Sequence, residues 1–171
     1  MAHLEDLLQL IDTSIHELDR SLGIRGCGLA LSGACNPGYK GSRDAETPES
    51  LTYRVLFLPM VRLLGYGEPV YDGNLRRVPG TAMAIVPLNR PMDMALRQMI
   101  DHMRVSDDVM GVVTDGLMWI VVEHGPMGPK VHDVHDLRPY YIRALDICRF
   151  RCDYEMDFGP ARDFLTGLEK R

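Results

Sequence analysis

A chain of 171 residues that is 46% apolar and 25% charged has ordinary globular composition, with length for one core burying roughly 70% of its unfolded surface; this excludes a fibrous or wholly disordered protein and argues against two independent cores. The net charge of −5, with sixteen Arg and three Lys among the bases, weakens long-range attraction to phosphate backbones and confines any nucleic-acid contact to a local patch. The opening residues mix Glu5 and Asp6 among leucines, unlike a secretory signal, and no stretch reaches the ~18 to 20 apolar residues of a membrane span, so the expectation is a cytoplasmic protein with no membrane partner.

Leu4, Leu7, Leu8, Ile11, Ile15, Leu18 and Leu22 recur at three- and four-residue steps and predict an amphipathic helix over 1–23 that stops at Gly23. A Gly-rich connecting loop is expected over 24–48, with one short strand in 23–41 around the Asn36-Pro37-Gly38 turn. Its glycines do not make a nucleotide loop. Gly28 to Gly33 is followed by Ala34-Cys35 where a phosphate loop needs Lys and then Ser or Thr, and Gly26-x-Gly28 lacks the third dinucleotide-fold glycine. An α/β domain over 49–171 follows, sharing a single core with the first helix.

Thr47-Pro48 supplies a cap and first turn for a helix from Glu49 to Leu64, which Pro59 is expected to kink by removing one backbone donor. Tyr66 to Asp72 reads as extended or turning, Thr81 to Pro87 as a strand, and Met92, Leu96, Met99 and Met103 as one face of a third helix. Val109 to Thr114 and Leu117 to Val122 form a hairpin about Asp115-Gly116. A short strand is expected at Lys130 to Val134, then helices over Pro139 to Arg151 and Gly159 to Lys170. The sum is an α/β or α+β sandwich, a mixed sheet of about four or five strands flanked by helices.

Three segments carry a resemblance. The run from Glu49 through Leu63-Leu64-Gly65-Tyr66, the Gln98-x-x-x-His102 helix and the hairpin Gly111-Val-Val-Thr-Asp-Gly-Leu-Met-Trp119 are together similar, in order and spacing, to the nuclease-like N-terminal domain of type I restriction motor (R) subunits and their stand-alone relatives, within the PD-(D/E)XK nuclease-like superfamily. The likeness covers roughly Glu49 to Phe164, with His102 in the place of the family's tyrosine. It implies a restriction-endonuclease-like sheet, a setting in restriction or phage defence, and a site in which a helix Glu, a strand Asp and a Glu-x-Lys on the next strand hold Mg²⁺ beside a phosphate.

The residues present depart from that pattern at its centre. The strand before Gln98, Thr81-Ala-Met-Ala-Ile-Val-Pro-Leu-Asn-Arg90, contains no Asp, Glu or Lys. Carbon side chains cannot hold a hard divalent ion, so no metal or other cofactor is expected, and Glu49, Asp72, Asp93, Gln98 and His102 remain as vestigial candidates rather than a catalytic set. The first functional expectation is therefore a catalytically degenerate domain that binds nucleic acid or a protein, with Arg76, Arg77 and Arg90 flanking the bare strand as phosphate contacts. The partner stays open among DNA, another protein and a second copy. The alternative is an active Mg²⁺-dependent nuclease with a migrated site of Glu49, Asp72 and Asp93.

Two further clusters are weighed. His132-Asp133-Val-His135-Asp136 has ligating residue types, but in a strand followed by a loop the histidines do not converge and are expected at the surface. Cys27, Cys35, Cys148 and Cys152 are expected as reduced thiols; Cys148 and Cys152 lie one helical turn apart, wider than zinc-type pairs.

Overall fold

The computed structural model of the chain describes residues 2–32, 47–88 and 90–169, and in them the apolar periodicities resolve into five helices and one sheet. The helices are α1 (Leu4–Leu31), α2 (48–63), α3 (Asp93–Met103), α4 (Arg138–Phe150) and α5 (Gly159–Leu168). The strands are β1 (Val70–Asp72), β2 (Leu75–Val78), β3 (Thr81–Ile85), β4 (Met110–Thr114), β5 (Met118–Gly125) and β6 (Gly128–Asp136). They lie in sequence order across the sheet, and every neighbouring pair is antiparallel except β3 and β4, which α3 links as a parallel crossover.

The mixed α/β class expected from the sequence is present, with six strands where four or five were expected. The additional one, β2, is Leu75-Arg-Arg-Val, whose paired arginines break the apolar alternation. A two-residue turn nevertheless specifies it: Asp72 pairs with Leu75, and Gly73 between them takes φ 61°, the first central position of a type II′ hairpin.

Helices cover both sheet faces. On one, Leu7, Ile11, Ile15 and Leu18 of α1 join Leu56, Phe57, Trp119, Tyr141 and Phe164 in a continuous core. On the other, α3 sets Met99 and Met103 against Ala82, Ala84, Val113 and Val122. Small residues permit that approach, since a Cβ on Gly111 would lie 2.7 Å from Met99 Sδ. Burying a side chain the size of Phe57 or Phe164 stabilises by about 3 kcal/mol, so the first cluster carries most of the hydrophobic term.

One expectation about helix ends is corrected. The opening helix does not stop at Gly23: the chain kinks there, at φ 70° and ψ 170°, and helix resumes to Leu31. Cys27, Ala30 and Leu31 recur at three- and one-residue steps and bury one face, a pattern that the surrounding glycines obscure, so 24–31 is helix rather than loop. The rest of the Gly-rich segment, 33–46 with Cys35, lies outside the described residues.

Around Pro59 the helix departs from regular geometry. Thr47 caps α2 as expected, its Oγ1 accepting from Ser50 N at 3.2 Å. The helix then widens into a π-helical stretch, Thr52–Phe57, immediately before the proline, and α-helix resumes at Leu58–Leu63. Widening lets the pyrrolidine ring clear the preceding turn, and Pro59 offers no N–H to the Val55 carbonyl four residues earlier. Ser14 of α1 supplies the donor: its buried hydroxyl reaches Val55 O at 3.1 Å. The proline thus docks α1 onto α2 through a hydrogen bond that a regular helix would not need.

Two stability outcomes follow from this geometry. Ser14→Ala strands the buried carbonyl and is expected to cost about 1 to 3 kcal/mol by denaturant unfolding. In a Pro59→Ala background the restored N–H should recover a large part of that loss, and additive single and double variants would contradict the assignment. Gly116, at φ 89°, has room for no Cβ, because Leu56 Cβ would lie 2.5 Å from it. Gly116→Ala is expected to destabilise by about 2 to 4 kcal/mol from backbone strain and overpacking together.

Candidate functional site

Neighbouring residues of a strand point to opposite faces, and this decides what the arginines of β2 can do. Arg76 turns toward α2. Its guanidinium carbon lies 4.5 Å from the ring centre of Tyr53 on α2 and 3.0 Å from that of Tyr71, its partner across the hairpin. The cation is held flat between two aromatic faces, an arrangement worth roughly 0.5 to 2 kcal/mol. Among the described residues Arg76 has no hydrogen-bond or ion-pair partner, so the N–H fork at the edge of the stack is free.

That fork lines a cleft of about 270 Å³ formed by Glu49, Tyr53, Tyr71, Gly73, Asn74, Arg76, Ile85 and Pro87. Glu49 and Tyr53 are four residues apart on α2 and share its face. Ile85 ends β3, and Pro87, two residues on, continues the same alternation. The cleft thus combines one cation, one carboxylate and one amide on an apolar floor.

Arg77 turns the other way. Its guanidinium donates to Asp72 Oδ2 at 3.1 Å and to Asp108 Oδ1 at 2.5 Å, and His102 Nε2 bonds Asp108 Oδ2 at 2.7 Å. Asp108, at 2% side-chain exposure, is a buried charge held by two partners. Burial pushes its carboxyl up, but the hydrogen bonds from His102 and Arg77 prevail and hold it below the usual carboxylate range. The cluster ties β2, the end of α3 and the start of β4 together. Its charges are satisfied internally, which leaves Arg77 poorly suited to a phosphate.

The sequence-derived candidates are therefore dispersed. Glu49 and Arg76 share the cleft; Asp72, Arg77 and His102 belong to the cluster on the opposite face. Asp93 opens α3, Gln98 lies exposed on it, and Arg90 is exposed in the turn that precedes it. No three of His, Cys, Asp and Glu among the described residues are grouped so as to hold a metal ion. Tyr53, Tyr71, Asn74 and Asp108 escaped sequence reading, because the cross-strand alternation that places the first three depends on recognising β2. The Asp107-Asp108 pair before an apolar strand was the available hint for the fourth.

Two expectations on the remaining clusters are corrected. His135 is buried, not at the surface, because β6 extends as far as Asp136 and α5 covers that position, placing Phe164 edge-on at 5.6 Å. His132 sits exposed where the β5–β6 register shifts, 3.5 Å from Glu123. Cys148 and Cys152 do not share a helical face, since α4 ends at Phe150 and Arg151 adopts a left-handed conformation. Cys27 is buried, and burial pushes its thiol up to about 12.

Burial lowers His135 below the ordinary histidine range, against the opposing pull of Asp133 and Asp163. The folded state holds it neutral, whereas the unfolded chain takes up a proton near pH 6.5. Stability from this residue is thus complete above about 6.5 and is lost as pH falls toward the lower folded value. Urea midpoints are expected to drop less between about pH 8 and about pH 5 for His135→Gln than for the native chain; equal drops would refute the assignment. Comparisons with family models, curated proteins and solved structures return no match for this chain.

Proposed function

We propose that this chain is a catalytically degenerate restriction-endonuclease-like domain that holds nucleic acid without cleaving it. One observation carries the reading: beside β3 the cleft is lined by Ile85 and Pro87, from the window that holds no Asp, Glu or Lys, while Arg76 presents a fork with no partner among the described residues. Ile85 and Pro87 add no oxygen ligand beside Glu49, and one carboxylate is too few to hold a hard divalent ion. A planar guanidinium with free N–H groups matches a phosphate bidentately.

The order of elements supports the same reading. A helix bearing Glu49, strands bearing Asp72 and the bare window, the Gln98 helix and the Trp119 hairpin follow one another as the resemblance requires. The migrated Mg²⁺ site of Glu49, Asp72 and Asp93 finds no such support, because alternation sends Asp72 to the Arg77 side of the sheet edge, away from Glu49. Restriction or phage defence is the setting that the resemblance suggests.

The test pairs a cleavage assay with a binding assay. Plasmid and oligonucleotides incubated with the protein in Mg²⁺ or Mn²⁺ are expected to remain intact, and cutting that a Glu49→Ala/Asp72→Ala variant abolishes would reverse the proposal. Labelled DNA should bind in a salt-dependent manner, with Arg76→Gln reducing the slope of log affinity against log salt by about 1. No binding at low salt would also defeat it.

A further inference from the structure

The geometry of the cleft points to single-stranded rather than duplex nucleic acid as its ligand, with one base stacked on Tyr71 and its phosphate on Arg76. This inference rests on the nucleic-acid reading above and gives it a substrate class. It begins from a layered stack: Tyr53, the Arg76 guanidinium and Tyr71, in that order outward from α2. Tyr53 is itself stacked on Phe57 with ring centres 5.7 Å apart, so the inner end of the stack is anchored in the core.

The outer end is open. Tyr71 is 70% exposed although one of its faces is covered by Arg76, so its other face is available. It belongs to β1, the edge of the sheet, and among the described residues no further strand lies beyond it. A nucleobase would extend the stack by one layer, and base stacking is tolerant of sequence because every base has a π face.

Single strands are favoured by two constraints. In a duplex the faces of a base are already occupied by its neighbours, so only an unstacked base can cover Tyr71. A duplex also brings two charged backbones against the protein, and this chain is poorly equipped for them. Its net charge is −5, Glu49 lies in the cleft, and Arg77, the adjacent cation, is neutralised by Asp72 and Asp108. One free guanidinium suits one phosphate.

The experiment uses the full chain with fluorescein-labelled oligonucleotides of about 20 nucleotides, single-stranded and as the matching duplex, followed by anisotropy at low salt. The single strand is expected to bind about tenfold more tightly than the duplex. Tyr71→Ala removes an exposed ring and is expected to weaken single-strand binding about tenfold, a clearly larger loss than it causes for the duplex. Arg76→Lys, which keeps the charge but loses the flat fork, should weaken the single strand to a similar extent. If single strand and duplex bind equally, and Tyr71→Ala alters neither, the stacking inference is overturned while the nucleic-acid reading stands. If neither binds, both fail together.

Discussion

Trp119 is the residue on which this fold is assembled. Its indole lies flat on Phe57 of α2 at 6.0 Å and meets the edge of Phe164 of α5 at 5.6 Å, with no solvent exposure. Phe57 continues outward to Tyr53, and Phe164 continues to His135. The result is a row of aromatic contacts running from the candidate cleft beside β1, through α2, to Trp119 on β5 and on to His135 on β6, the opposite edge. Aromatic pairs of this kind contribute about 0.5 to 1.5 kcal/mol each beyond their buried area. They also fix orientation, because a flat ring accepts few packings. Since Tyr53 is held by Phe57, the guanidinium of Arg76 rests on a surface as rigid as the core.

The same constraint explains why the hairpin and the proline matter. Trp119 can lie on Phe57 only if the β4–β5 turn comes close to α2, and Gly116 permits this where any Cβ would meet Leu56. Phe57 closes the π-helical stretch that Pro59 demands, and the displaced backbone is satisfied by Ser14 of α1. A locally unfavourable residue has become a tertiary contact. Across the sheet, the Arg77–Asp108–His102 cluster performs the corresponding task for α3, with charge in place of aromatic area.

Much of this architecture was legible in the sequence. The heptad-like leucines of α1, the Asp115-Gly116 hairpin and the methionine face of α3 each state their period without ambiguity, and each is present. What was not legible depends on long-range information. Helix 24–31 is held by burial of Cys27, Ala30 and Leu31, contacts that outweigh the low helix propensity of Gly26 and Gly28. Strand β2 exists because the Gly73 turn folds it onto β1 and β3, not because Leu75-Arg-Arg-Val favours a strand. With β2 unrecognised, Arg76 and Arg77 read as one basic patch, whereas the pleat sends them to opposite faces and gives them different electrostatic fates.

On the proposed reading, the lack of any Asp, Glu or Lys between Thr81 and Arg90 bears on more than metal binding. In a metal-dependent nuclease the carboxylates make the site anionic, and a phosphate is admitted only when a divalent cation reverses that charge. The cleft here differs in composition: Ile85 and Pro87 bring no charge to it, Glu49 is its one carboxylate, and the guanidinium of Arg76 has no ion-pair partner among the described residues. Were this cleft the counterpart of such a site, an uncharged strand and an unpaired cation would together let it meet phosphate directly rather than through a metal. A single arginine can serve that role in a chain of net charge −5 only where few carboxylates compete with phosphate for it, and the cleft meets that condition with Glu49 alone.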